Sequence, residues 1–194
     1  MPLFSFAEIF DIIVMTIIVG YIFSGAFRKP IEHDYDPLAY FKKQGSWENF
    51  KYAVILTAPA IILHELAHKF VAMSFGLRAV YYAFYHNSTT LGLGVFAVLA
   101  KMMNFGFFIL VPGFVATSGA IPLQQVFISL AGPLTNLVIW ALCRLMLQHG
   151  LLSKYQSTVA MTAKINLFLF IFNMLPIPGF DGFNFFVSLF EAFS

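Results

Sequence analysis

From about Ala7 to Phe27 the chain carries only two charged side chains, Glu8 and Asp11, both near the start of the run. Apolar stretches of similar length recur from about Phe50 to Phe75, Leu123 to Leu147 and Ser157 to Leu175. About 20 apolar residues is the length a helix needs to span a bilayer core. In lipid every backbone N–H and C=O must be satisfied internally, which a helix does within its own segment. Composition points the same way: 60% of the 194 residues are hydrophobic and 10% charged, against about 25% charged in soluble domains. The expectation is an all-α integral membrane protein, a polytopic bundle of about five to six apolar helices. No basic residue precedes the first run and small residues for a cleavage site are sparse, so it reads as a retained helix rather than a removed leader.

Between these runs the sequence changes character. Arg28 to Asn49 holds the densest run of charge, two prolines, and the aromatic residues Tyr35, Tyr40 and Trp47, and reads as a polar loop outside the hydrocarbon. Gly76 is placed to end the second span as a C-cap. "LRAVYYAFYHNSTT" and "PGFVATSGAIP" are rich in aromatic and β-branched residues and read as short β-like pieces between the second span and the "AGPLTN" helix. The apolar run Leu91–Val111 is interrupted by "KMMN" at Lys101–Asn104, and reads as a re-entrant hairpin folded there or a partial insertion, with a full crossing as the alternative. A last short helix is expected from about Gly182 to Phe193. One domain over residues 1–194 is expected, with the 28–49 loop and a core over 50–190. A net charge of +2 with no basic block gives no footing for a nucleic-acid partner. The single cysteine, Cys143, rules out a disulfide within the chain, and reads as a small buried or lipid-facing hydrophobe.

Within the second span lies "IILHELAHKF". His64 and His68 are four apart, so on a helix of about 3.6 residues per turn they share one face and both imidazoles can reach one ion. Glu65 is too close in sequence to be the natural third ligand but can reach a water on the metal. That is the logic of H-E-x-x-H: two ligands and a general base on one turn. Chance gives this pattern in a chain of this length about once in a hundred or less. A charge near mid-bilayer costs about 2.5–3.5 kcal/mol, so such residues are rarely idle. The competing interpretation is a histidine pair bonded to a neighbouring helix. Lys69 reads as a residue snorkelling near the end of the span.

A catalytic zinc site takes a third protein ligand and leaves a fourth position for water. His33, His86 and His149 lie in polar or loop-like segments. Asp181, in "NMLPIPGFDG", is the better candidate: it follows a helix broken by Pro176 and Pro178, and such a break at membrane depth can aim a side chain into the bundle. Taken alone, it could equally serve as a helix N-cap.

"HELAH" in a membrane span, then "GPLTN", then "NMLPIPGFDG" together resemble the three motifs of the site-2 protease family of intramembrane zinc metalloproteases, over about residues 50 to 190. The resemblance implies that His64, His68 and Asp181 bind one zinc ion and that Glu65 is the catalytic base. It implies a role for Asn136 in holding substrate or the oxyanion; plain interhelical hydrogen bonding is the other interpretation of that residue. Asn173 and Pro176 match the start of the third motif. Phe180 stands where the family usually has Leu, and no PDZ or CBS module is evident.

The expected function is therefore hydrolysis of peptide bonds in transmembrane segments of membrane-protein substrates, in the lipid bilayer of a prokaryotic cell membrane. The apolar pieces around Val80–Phe84 and Phe114–Thr117 are candidates to pair with an unwound substrate strand. Rival readings are a metal transporter or channel, since intramembrane His and Asp also mark ion pathways, and a non-catalytic relative that binds peptide or metal. Transporters often show internal repeats, and none is seen here.

Overall fold

The computed structural model describes residues 3–27, 47–103 and 113–194. Six α-helices and two short strands lie within them: α1 (Phe6–Phe23), α2 (Trp47–Ser74), β1 (Arg78–Tyr82), α3 (Ser88–Met102), β2 (Phe114–Ser118), α4 (Pro122–Gln148), α5 (Gln156–Asn173) and α6 (Asp181–Phe193). Of these, α1, α2 and α4 are long and apolar enough to cross a membrane, and β1 pairs with β2 in a two-stranded sheet. The architecture is the predicted all-α membrane bundle with short β segments between the second span and the "AGPLTN" helix. Trp47, Glu48 and Asn49, which the sequence assigns to the polar loop, form the first turn of α2. Glu48 there suits the positive end of the helix and accepts from Lys51 Nζ at 2.5 Å. The rest of that loop, residues 28–46, lies outside the described residues. Lys101 and Met102 close α3; Asn104 and residues 105–112, where the return limb of a re-entrant hairpin is expected, also lie outside them.

Two compact units divide the chain. The first comprises Met1–Pro59 and Tyr82–Gly113. Its helix α1 is turned inside out by comparison with a soluble helix. Glu8, Asp11, Met15, Val19 and Ile22 are buried, at helical spacing, while Phe6, Phe10, Ile13 and Ile17 are exposed. Lipid solvates the apolar stripe, so the acids are the side chains that must turn inward. Each acid has a partner. Glu8 accepts from the Ser5 backbone N–H at 2.8 Å, and the Ser5 hydroxyl accepts from Glu8 N–H at 3.2 Å, closing a capping box. Asp11 ties α1 to the segment after β1. It accepts from the Ala83 backbone N–H at 3.2 Å and from the Tyr85 hydroxyl, and lies 3.0 Å from His86 Nε2.

The second unit comprises Ala60–Tyr81 and Phe114–Ser194. Helix α4 packs against both α5 and α6. Cys143 sits in the α4–α5 seam with Val159 and Ala163 as a buried hydrophobe. The C-terminal part of α2 ends in a Schellman turn: Leu77 N–H bonds Ala72 O at 3.1 Å and Gly76 N–H bonds Met73 O at 2.9 Å. Gly76 has φ +76°, a conformation that glycine adopts without a Cβ penalty. Ala72, Ala79 and Ile128, with Val71, Leu77, Val115 and Ala120 around them, form a small apolar core joining α2, both strands and α4. That core fixes the register between α2 and α4 and places the Ile128 backbone against the face of α2 that carries His68.

Candidate metal centre

His64 and His68 stack one turn apart on α2, edge to face, with ring centroids 4.7 Å apart. Their Nε2 atoms are 3.1 Å apart. Asp181 Oδ2 lies 3.0 Å from His64 Nε2 and 3.3 Å from His68 Nε2. All three residues belong to the second unit.

The path that delivers Asp181 follows from local chemistry. Helix α5 stops at Asn173, and Pro176 and Pro178 cannot continue it. Gly179, with φ +98°, turns the chain, and Phe180 N–H bonds Ile177 O at 3.1 Å. Asp181 is then the first residue of α6, with Phe180 at the N-cap; the capping role open to Asp181 in the sequence is thus not the one it takes. A Cβ at Gly182 would collide with the Met174 carbonyl and come within 2.8 Å of Leu175 O. Only glycine lets α6 begin this tightly against the end of α5, and that closeness swings the Asp181 carboxylate over the imidazoles.

The outer nitrogens decide where the protons are. His64 Nδ1 is 2.6 Å from Asn136 Oδ1, and His68 Nδ1 is 2.6 Å from the Ile128 carbonyl. Both partners are acceptors, so each Nδ1 carries the proton and each Nε2 presents a lone pair. Two lone pairs and a carboxylate oxygen therefore converge with no hydrogen among them. Such an arrangement is repulsive unless a cation sits between the three. The spacing suits one: ligands about 2.0–2.1 Å from a tetrahedral zinc stand about 3.3 Å apart. The chemistry of the donor set, two neutral imidazoles and a carboxylate with their outer nitrogens held by acceptors, fits zinc. Among the described residues, these three offer ligand atoms within 4.8 Å of one another.

Helix α4 lines the other side with bare backbone. A Cβ at Gly132 would run into His68 Nε2 and come within 2.6 Å of His64 Nε2. Sequence reasoning gives Gly132 a packing role, and here the packing is against the two imidazoles themselves. Gly132→Ala is expected to weaken zinc binding by about 10- to 100-fold, from overpacking of about 1–3 kcal/mol. Zinc titration, with circular dichroism to check the helices, measures it; wild-type affinity in a folded variant would contradict this role.

Glu65 is buried at 8% exposure and interacts electrostatically with both imidazoles and with Asp181. Asn136 is fully buried. Its oxygen meets His64, while its Nδ2 donates to Ala60 O at 3.2 Å and to Asn166 Oδ1 at 2.9 Å. Asn166 was not singled out by sequence reasoning; its only signal is an amide in an apolar helix. Lys69 corrects an expectation. It is 2% exposed and enclosed by protein, where the sequence suggests a snorkelling side chain; it follows His68 on a turn of α2 that faces inward. Asn173 donates to Leu169 O at 3.0 Å, within its own helix. Of the remaining histidines, His86 pairs with Asp11, His149 is the C-cap of α4, and His33 lies outside the described residues.

Similarity to known proteins agrees with this chemistry. The chain is 30% identical over 189 residues to the "Putative zinc metalloprotease MJ0611" of Methanocaldococcus jannaschii, covering 92% of the chain and 83% of that protein. The chain belongs to this zinc metalloprotease family. It is also 30% identical to the "Putative zinc metalloprotease YwhC" of Bacillus subtilis, over 69% of the chain and 66% of the relative. The "Putative zinc metalloprotease Rip2" of Mycolicibacterium smegmatis is 29% identical, over 64% of the chain and 52% of the relative. No family profile matches the chain, and no solved structure matches it.

Proposed function

We propose that the protein is an intramembrane zinc metalloprotease of the site-2 type, hydrolysing peptide bonds within transmembrane segments of other membrane proteins. The observation that carries this reading is the convergence of His64 Nε2, His68 Nε2 and Asp181 Oδ2 within 3.0–3.3 Å, with both imidazoles on a helix apolar and long enough to cross a bilayer. A soluble protein substrate would have no route to such a place, whereas a membrane-embedded segment already shares its solvent.

His64, His68 and Asp181 hold the ion in this reading, and zinc when bound acts as a Lewis acid and lowers the pKa of its water towards about 7. Glu65 would act as the general base for the attacking water and hand that proton to the departing amine nitrogen. Burial of the site keeps bulk water out and strengthens each electrostatic contact. Asn136 acts through His64: its amide oxygen holds the Nδ1 proton, and its amide hydrogens go to Ala60 and Asn166. Among the described residues β1 and β2 form a two-stranded sheet, and the backbone of a locally unwound substrate can add to such a sheet as a further strand.

The deciding experiment places purified protein in liposomes with a single-span substrate. The expected result is scission inside the apolar segment, stopped by a chelator and restored by zinc. Zinc flux into the vesicles without peptide cleavage would instead support a transporter and remove the protease reading.

A further inference from the structure

Helix α5 carries a wholly buried side chain that this chemistry leaves unused, Asn166. It shares the buried face of α5 with Val159, Ala163 and Leu169. An amide there must find partners, and the partners it finds impose a direction. Asn166 Nδ2 donates to the Thr162 carbonyl at 2.9 Å. That carbonyl can only accept, so Asn166 must turn its NH2 towards it and its oxygen towards Asn136. Asn136 Nδ2 donates to that oxygen at 2.9 Å, which leaves the Asn136 oxygen facing His64. His64 must then carry its proton on Nδ1, 2.6 Å away, and keep a lone pair on Nε2. Two backbone carbonyls, Thr162 O on α5 through Asn166 and Ala60 O on α2 directly at 3.2 Å, thus set the polarity of a chain of hydrogen bonds ending at His64 Nε2.

We propose that Asn166 is a positioning residue that fixes the tautomer of His64. This rests, for its functional meaning, on the reading of His64, His68 and Asp181 as the zinc ligands. Without Asn166 the Asn136 amide loses one of the two acceptors that hold its NH2, keeping Ala60 O at 3.2 Å, so a flip that offers the NH2 to His64 Nδ1 costs less than in wild type. The imidazole proton then moves to Nε2, where it points at Asp181 and His68 and occupies the place of the ion. Asn166 touches neither ion nor substrate.

The test uses the full chain, with 15N-labelled histidine spectra of zinc-free protein and zinc titration against a competing chelator. Wild type is expected to show His64 protonated at Nδ1. Asn166→Ala is expected to shift His64 towards the Nε2 form and to weaken zinc binding about 10-fold, the lower end of what loss of an outer-shell partner costs. Asn166→Leu fills the cavity should the alanine variant unfold. Asn166→Asp is expected to restore both readouts, because a neutral carboxylic acid can donate to Thr162 O and accept from Asn136 in the same places. Leu169→Ala, buried on the same helix, is expected to lower stability while leaving tautomer and affinity alone. An unchanged His64 tautomer in both Asn166→Ala and Asn166→Leu overturns the proposal, as does an equal shift in Leu169→Ala. A wild-type chain that binds no zinc removes the metal-centre reading instead; the tautomer spectra still decide what Asn166 does to His64.

Discussion

Glu65→Gln is expected to bind zinc as wild type does and to cleave about 10²–10⁴-fold more slowly, the usual worth of a positioned acid–base group. The substitution keeps shape and removes one capacity, that of taking and returning a proton. In the proposed site the three ligand atoms come from other residues, and none depends on Glu65 for its orientation: His64 is held by Asn136, His68 by the Ile128 carbonyl, and Asp181 by the turn before α6. Metal content measured beside single-turnover cleavage separates the two roles. A variant that cuts at the wild-type rate would remove Glu65 from the base position; one that loses zinc would make it part of the cage.

Asp181→Ala is expected to abolish cleavage and to weaken zinc binding by more than about 100-fold, beyond the range seen when only an outer-shell partner is lost. The two imidazoles would remain 3.1 Å apart with their lone pairs facing, but the negative charge that favours a dication would be gone. Calorimetric zinc titration of the purified variant reads this directly. Wild-type affinity in Asp181→Ala would mean that another group completes the site, and the hydrolytic centre drawn here would lose its third member.

The spans were legible because lipid demands long unbroken apolar runs, and their limits were read to within a few residues. The end of the first span was read four residues too far, at Phe27 rather than Phe23, and Trp47–Asn49, where charge and an aromatic residue look like loop, begin a helix. The histidine pair was legible because helical spacing alone puts His64 beside His68. Asp181 was legible as a candidate because prolines announced a broken helix, though nothing in the sequence says how tightly Gly182 packs against Met174. What could not be read were partners that are backbone or distant. The Ile128 carbonyl has no letter of its own. Asn166 meets Asn136 across a separation of 30 residues, and Asp11 meets His86 across 75. Lys69 lacked context: its place on α2 was known, but not that its face turns inward.

Asp181 stands 117 residues along the chain from the imidazole it approaches most closely. A cation shared by the two ends ties that whole length of polypeptide into a ring, much as a covalent cross-link does. A ligand present at 100 times its dissociation constant stabilises the state that binds it by about 2.7 kcal/mol, a sizeable share of the about 5–15 kcal/mol that holds a typical domain folded. Metal scarcity in the cell would therefore shorten the lifetime of the enzyme as well as idle it, so that supply of the ion governs abundance and turnover together.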